Sequence, residues 1–161
     1  MTWAVGTDDL DRDAGLLTDA GLAVGPVRSG SRRCPDGSEV TWRSAIVGPP
    51  GTTTWPFLIE WPSRGEVRLG VGATVTGLRV TGMTLAVPDP GATARQLVGA
   101  LGFTRVPGDD LVVTDGEVNV ALTDSGTRRP GPAGLSLNGQ SRGSFVLDGL
   151  TVSIAPERIA L

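Results

Sequence analysis

The sequence lacks three side chains on which many enzyme active sites depend. Its 161 residues contain no histidine, no tyrosine and no lysine, so all 14 basic residues are arginines. Without histidine, Ser-His-Asp and Cys-His relays and imidazole metal ligands are excluded. Without lysine and tyrosine, Schiff-base chemistry and a phenolic acid are excluded as well. The composition therefore argues against an enzyme, and it indicates no particular reaction.

Cysteine, net charge and long apolar runs are also scarce. The single Cys34 excludes an internal disulfide and fits a reducing compartment. The net charge of -3 leaves no broad basic face for nucleic acid. No run approaches the roughly 20 apolar residues that cross a bilayer, and the start lacks the pattern of a signal peptide. We therefore expect a cytoplasmic protein with no nucleic-acid partner and no membrane partner.

Glycine and proline, by contrast, are abundant. The 24 glycines and 12 prolines predict many turns and short elements rather than long helices. Hydrophobic residues make up 39% of the chain and include four tryptophans, all in the first half, which we expect to serve the core. The length predicts one domain or two small repeats that share a core.

The first copy of a repeat opens the chain. Residues 3–7 have the pattern of a short strand, and Asp8 or Asp9 follows as a candidate helix N-cap. Apolar residues then recur at helical spacing, which predicts a helix over 9–20 that ends at Gly21.

The second copy begins near residue 85. A strand is again followed by a capping residue, Asp89, and by Pro90 at the first helical position. The pattern predicts a helix over 91–101 that ends at Gly102. The distance from cap to terminating glycine matches the first copy, with one residue of slack in the first loop.

Each helix is followed by several strand-like runs. They are residues 22–28, 38–47 and 56–61 in the first half, and 103–106, 111–114, 117–123 and 144–154 in the second. Segments rich in glycine, proline and serine separate them, and 124–142 is expected to be loose. We predict a first unit at 1–64, a linker at 65–77 and a second unit at 78–161.

Three segments resemble the glyoxalase-like domain family of the vicinal oxygen chelate superfamily, and a fourth is common across that superfamily. They are residues 5–11 (VGTDDLD), 31–43 (SRRCPDGSEVTWR), 56–61 (PFLIEW) and 85–90 (LAVPDP). This superfamily includes glyoxalase I, ring-cleaving dioxygenases and bleomycin-resistance proteins. The resemblance implies an α+β fold in which two βαβββ-like units form a curved, mainly antiparallel sheet around a cleft. It also implies that this chain is a short version, because a further unit precedes the matching part in longer relatives.

The resemblance also implies where metal ligands stand in metal-dependent members. Their usual histidine and glutamate positions fall at Gly82, near Thr2, at Ser153 and at Glu60. Only Glu60 keeps an acidic side chain, whereas a first-row metal needs three or four protein donors. We therefore expect no bound metal and no cofactor.

Glu60 is the first candidate for a ligand site. It alternates with Phe57, Ile59 and Trp61, so if those three pack on the helix, Glu60 points into the concave face. A buried carboxylate needs a partner, for which Arg33 and Arg43 are the candidates. The pair either orients a polar ligand or serves as a structural ion pair left after loss of a metal site.

The second unit adds further candidates. Thr84 shares a face with Gly82 and Ala86, opposite Met83 and Leu85. Ser153 lies in the last strand. We expect the ligand-binding set to be Arg33, Arg43, Glu60, Thr84 and Ser153, with Arg43 the favoured cation because its neighbour Trp42 would then face the core.

Three functions remain open at this stage. The first is a metal-free protein that binds a small molecule in the cleft, in the manner of bleomycin-resistance relatives. The second is a lyase, isomerase or dioxygenase with Glu60 as base and an arginine as electrophile. The third is a non-catalytic interaction module completed by a second chain. Exposed sheet edges invite pairing, so we also expect a homodimer.

Overall fold

Two helices and eleven strands are seen in the part of the chain that the structure, a computed structural model, describes: residues 2–35, 37–49, 54–61, 79–139, 143–147 and 150–155. The helices are α1 (Leu10–Asp19) and α2 (Pro90–Leu101). The strands are β1 (Ala4–Thr7), β2 (Arg28–Arg33), β3 (Glu39–Ile46), β4 (Phe57–Glu60), β5 (Arg79–Val87), β6 (Thr104–Val106), β7 (Asp109–Thr114), β8 (Asn119–Asp124), β9 (Gly131–Asn138), β10 (Gly143–Leu147) and β11 (Leu150–Ala155). No helix among these residues is long and apolar enough to cross a membrane.

The chain divides into two compact units between residues 74 and 75. The first is a four-stranded sheet in the order β1-β4-β3-β2 with one helix, α1. β1 runs parallel to β4, whereas the other two strand pairs are antiparallel. The predicted linker, 65–77, lies outside the described residues.

The second unit repeats this arrangement and extends it. Its sheet contains β5-β8-β7-β6 in the same order, again with the first strand parallel to the fourth. Over the described strands, six of the nine pairs are antiparallel. The predicted α+β fold of two βαβββ units with mainly antiparallel pairing is therefore confirmed.

Three further strands continue the second sheet beyond β5. They follow the order β5-β9-β11-β10, with β9 parallel to β11 and β10 antiparallel to β11. The first, fourth and third strands of each βαβββ unit pair in the same way. The strands β9, β11 and β10 therefore repeat the pairing pattern of a unit's first, fourth and third strands.

The expectation that 124–142 is loose is wrong, because this segment contains β9. The strand reads GPAGLSLN, and its glycine and proline content concealed it. β9 pairs with β5 on one edge and with β11 on the other, so ladder hydrogen bonds on both sides offset its low strand propensity. Leu135 and Leu137 alternate with Gly134 and Ser136, which is the signal that could have revealed it.

The predicted strand at 22–28 is displaced to Arg28–Arg33. Before it, Val24 forms an isolated antiparallel bridge with Val47, the residue that follows β3. Pro26 has no N–H with which to extend this bridge into a ladder. Gly30 allows the close pairing of β2 with β3. A Cβ there would lie 2.5 Å from the Trp42 ring, so only glycine fits beneath the indole.

Both helices begin and end within one residue of the predicted bounds, 9–20 and 91–101. Asp9 accepts a hydrogen bond from the Arg12 N–H at 3.0 Å, and Asp89 accepts one from the Ala92 N–H at 2.8 Å. Each carboxylate satisfies a donor that the first turn leaves free. Gly102 ends α2 at φ +71°, a left-handed conformation that favours glycine.

Leucines form the core of each unit. In the first unit Leu10, Leu17 and Leu58 are fully buried where α1 packs on β3 and β4. In the second unit Leu85 and Leu97 are fully buried where α2 packs on the sheet. The helix therefore covers one face of each βαβββ sheet. A ligand site would lie on the other face or at the edges.

Candidate functional site

The five predicted ligand-binding residues fall into two groups. Arg33, Arg43 and Glu60 belong to strands β2, β3 and β4 of the first unit. Thr84 and Ser153 belong to β5 and β11 of the second unit.

Glu60 and Arg43 form an ion pair on the helix side of the first sheet. Arg43 Nη1 donates to Glu60 Oε2 at 2.8 Å, as their register across β3 and β4 allows. Arg43 Nη2 donates to both carboxylate oxygens of Asp11 at 2.9 and 2.7 Å. The backbone N–H of Leu10 donates to Glu60 Oε1 at 3.3 Å. The predicted partnership with Arg43 is confirmed.

The predicted direction of Glu60 is wrong. Glu60 shares its face with Leu58, which is fully buried where α1 packs on β4, and its own side chain is 18% exposed. Phe57, Ile59 and Trp61 alternate onto the opposite face. Alternation correctly separates the two sets of side chains, but it cannot say which set the helix covers.

Charged hydrogen bonds in this cluster connect the first turn of α1 to strands β3 and β4. The hydrogen bond from Arg43 to Asp11, with a smaller contribution from Glu60, raises the pKa of the Arg43 guanidinium above its ordinary value. Glu60 and Asp11 place negative charge at the helix N-terminus, where the helix dipole favours it. The geometry is that of a structural contact.

Arg33 lies apart from this cluster. It is exposed at the end of β2 and stands opposite Glu39 of β3 in the strand register. Trp42 and Trp61 instead meet on the face away from α1, with ring centroids 5.8 Å apart and an interplanar angle of 55°. Trp42 thus takes the side of its strand opposite to Arg43, but that side is the face away from α1, so the expectation that Trp42 faces the core is wrong.

Thr84 and Ser153 line one cavity in the second unit. Its volume is about 410 Å³, and it is an open cavity lined by strands β5, β8, β9 and β11 and by the turn after β8. The lining residues are Thr84, Ala86, Thr123, Asp124, Ser125, Arg128, Ala133, Gly134, Leu135, Ser136, Thr151 and Ser153.

Strand alternation explains the chemistry of this cavity. Leu85 and Val87 of β5 are fully buried, whereas Thr84 and Ala86 face the cavity. The register places Ser153 beside Ser136 on the neighbouring strand. Small and hydroxylated side chains therefore form the floor, as predicted for the face that carries Thr84.

Charged groups stand at one end of the cavity. Asp124 accepts a hydrogen bond from the Gly126 N–H at 2.9 Å, and the Arg128 N–H donates to Ser125 O at 2.9 Å, which closes a turn. The Ser125 N–H in turn donates to Val87 O at 2.9 Å, so the turn is anchored to the end of β5. The backbone thus fixes the base of the Arg128 side chain.

Sequence reasoning missed most of the lining. Ser136 and Gly134 were hidden because β9 was not predicted, and Arg128 lies in the segment 124–142 that was expected to be loose. The alternation of Thr123 with Leu122 on β8 was visible in the sequence and could have identified that side of the cavity.

The donor set does not fit a divalent metal. In the described ranges no three or more Cys, Asp or Glu side chains are grouped so that they could hold one. Gly82 and Ser153 offer no carboxylate or imidazole, and Glu60 is engaged by Arg43 and the Leu10 N–H.

Together the fold and the cavity define a mixed α+β protein built from βαβββ units with a ligand-sized cavity on a sheet face. The sequence matches the glyoxalase-like domain family over residues 1–109, and the chain belongs to this family. None of the curated proteins compared with it matches significantly.

Solved structures share the fold at low sequence identity. A hypothetical protein from Staphylococcus aureus superposes with a TM-score of 0.73 at 12% identity, over 96% of this chain and 65% of that one. The Mn(II)-bound glyoxalase from Novosphingobium aromaticivorans superposes with a TM-score of 0.51 at 10% identity, over 96% of this chain and 62% of that one. The chain thus spans a little less than two thirds of each neighbour's length.

Proposed function

We propose that the protein binds a small polar organic molecule in the cavity of the second unit. One observation carries this proposal: Thr84 and Ser153, which lie 69 residues apart in the sequence numbering, line the same cavity of about 410 Å³. That volume falls within the range of small-molecule sites, roughly 300–1,000 Å³.

The side chains of the cavity suit binding better than catalysis. Six of the lining residues carry hydroxyl groups, which both donate and accept hydrogen bonds without titrating near neutral pH. Glu60, the base of the enzymatic alternative, is held by Arg43 and by the N-terminus of α1. These features support a binding protein over a lyase, isomerase or dioxygenase.

Nuclear magnetic resonance of the ¹⁵N-labelled protein tests the proposal. A library of small polar compounds is added, and the backbone amide shifts are followed. We expect hits to move the amides of Thr84, Ser136 and Ser153 together, because these residues line one cavity. Because we propose binding without a metal, the same shifts are expected after treatment with a chelator.

Matched variants sharpen this test. Thr84→Val and Ser153→Ala each remove one lining hydroxyl and should weaken any hit by about 1 kcal/mol. Ser144→Ala is the control, because Ser144 pairs with Ser153 across β10 and β11 but does not line the cavity. Hits that shift only first-unit amides, or equal effects of all three variants, would contradict the proposal.

A second candidate, a homodimer, is favoured by the edge strand β10. It carries no charged residue, and Phe145 and Val146 are 50% and 69% exposed. Among the described strands it pairs only with β11. Uncharged, apolar edges promote strand pairing between chains.

Light scattering tests the dimer. Wild type at high micromolar concentration should show twice the monomer mass, and Phe145→Lys should show the monomer mass. Leu16→Lys is the control, since Leu16 is a comparably exposed apolar residue, at 52%, that belongs to α1 and not to β10. A monomeric wild type would reject the dimer.

A further inference from the structure

We infer that the ligand is a singly charged polyhydroxylated carboxylate, of the sugar-acid type, with its carboxylate at Arg128 and its hydroxyl groups along the strands. This inference rests on the proposed function, because it names the class of molecule that the second-unit cavity takes. Three features carry it: the charges at one end, the arrangement of hydroxyls and the open floor.

The charges favour one negative group on the ligand. Among the lining residues only Asp124 and Arg128 are charged. In the described part of the chain, Arg128 forms no ion pair, so its planar guanidinium is available to grip a carboxylate through two parallel hydrogen bonds. Asp124, four residues before Arg128 in the chain, is the other charged lining residue, and its negative charge disfavours a phosphate dianion relative to a singly charged carboxylate.

The hydroxyls form two rows across the strands. Ser153 and Ser136 are register partners in one row, and Thr151 and Thr84 flank Gly134 in the next. Neighbouring strands lie about 4.8 Å apart, and rows two residues apart lie about 6.8 Å apart. A chain of several hydroxylated carbons can therefore meet hydroxyls of both rows at once, whereas a ligand with one polar group cannot.

Glycine keeps the floor between the rows open. A Cβ at Gly134 would lie 3.2 Å from Thr84 Oγ1 and 3.3 Å from Thr84 Cβ, so a larger residue would press on that hydroxyl. A Cβ at Gly82 would lie 3.3 Å from Asn119 O and 3.7 Å from Ser136 Oγ. Gly134, together with Ala86 and Ala133, leaves space in the cavity for the carbon chain of a ligand.

Calorimetry with three matched probes tests the inference. D-gluconate carries one carboxylate and five hydroxyls, D-glucitol lacks the carboxylate, and hexanoate lacks the hydroxyls. We expect D-gluconate to bind at least about tenfold more tightly than either, since each lacks one set of partners. D-glucose 6-phosphate, a dianion near neutral pH, should bind more weakly than D-gluconate, and Asp124→Asn should narrow that difference.

Arginine variants locate the carboxylate. Arg128→Gln should weaken D-gluconate about tenfold and leave D-glucitol unchanged, because only the charged contact is lost. The matched control is Arg129→Gln, since Arg129 is adjacent and exposed but does not line the cavity. The preference of wild type for D-gluconate over D-glucitol should also fall as salt is raised, because an exposed charge contact is screened.

The outcomes separate this inference from the proposed function. If neutral compounds move the amides of Thr84 and Ser153 but D-gluconate binds no better than D-glucitol, the ligand class is wrong and the binding site stands. Equal effects of Arg128→Gln and Arg129→Gln on D-gluconate would also overturn the assigned carboxylate position. If no compound moves those amides, both the site and its ligand class are rejected.

Discussion

The two βαβββ units share one strand order, yet the side chains at equivalent positions make different contacts. Counting from the helix caps Asp9 and Asp89, Glu60 of the first unit corresponds to Asp124 of the second, because Thr7 pairs with Glu60 and Val87 pairs with Asp124. Glu60 is drawn into a contact with Arg43 and the helix. Asp124 instead supports its own turn and lines a cavity.

The faces away from the helices differ as well. By the same register, Phe57 and Ile59 in the first unit stand where Ala121 and Thr123 stand in the second. The first unit fills that face with large apolar side chains, to which Trp42 and Trp61 add. The second presents small and hydroxylated ones. The fold supplies the same sheet face in both units, and the size of the side chains on it differs between them.

The largest loss of stability should come from replacing the equivalent core leucines of the two units. Leu58 and Leu122 are equivalent and are 0% and 3% exposed. Each change to alanine should lower the free energy of unfolding by about 2–5 kcal/mol. Tryptophan fluorescence follows the first unit, which contains all four tryptophans, and circular dichroism follows both. A loss below about 1 kcal/mol at one leucine but not at the other would break the equivalence.

The equivalent acidic residues Glu60 and Asp124 should give the next largest difference in stability. Glu60→Gln weakens charge-assisted bonds to Arg43 and to the Leu10 N–H and should cost about 1–2 kcal/mol of unfolding free energy. Asp124→Asn keeps an acceptor for Gly126 and should stay within about 0.5 kcal/mol of wild type. Urea denaturation of both variants measures the contrast, and equal losses would refute it.

The helix caps should behave alike in the two units. Asp9→Ala and Asp89→Ala each leave a first-turn N–H without its acceptor and should cost about 1 kcal/mol. Asn at the same positions caps as well and serves as the control. Thermal unfolding followed by circular dichroism compares the four variants; an alanine variant as stable as its asparagine counterpart would show that the cap contributes nothing there.

The smallest expected effect is a pH dependence of stability, and it comes from the fourth residue after each helix cap. At this place α1 has Asp13, whereas α2 has Thr93, whose hydroxyl donates to Asp89 O at 2.8 Å. Partial burial raises the pKa of Asp13, but hydrogen bonds from Arg12 and Thr7 lower it more, so the pKa lies below its ordinary value. The ionised carboxylate therefore stabilises the fold at pH values above the ordinary aspartate pKa of about 4.

This contribution should disappear as the pH falls through the lowered pKa of folded Asp13. Asp13→Asn should destabilise the protein by less than about 1 kcal/mol at pH 7, and the difference from wild type should shrink below pH 4. Glu117→Gln, at an exposed residue of the second unit, is the control. A difference that grows on acidification would show that the sign is wrong.

The sequence determined the features that depend on near neighbours in the chain. The caps Asp9 and Asp89 and the ends of both helices follow from hydrogen bonding within one turn. Alternation on β5 placed Thr84 opposite Leu85, and the charge of Glu60 required a cation, which is Arg43. The repeat of these local signals was enough to predict two βαβββ units.

Only the tertiary structure decided which faces and edges meet. Alternation places Glu60 and Phe57 on opposite faces of β4, but it does not show which face α1 covers. A helix can pack on either face of a strand with this pattern. β9 is a strand because β5 and β11 hold both of its edges, a pairing that no local propensity encodes. The cavity, whose walls come from four strands and a turn, exists only once those long-range pairs have formed.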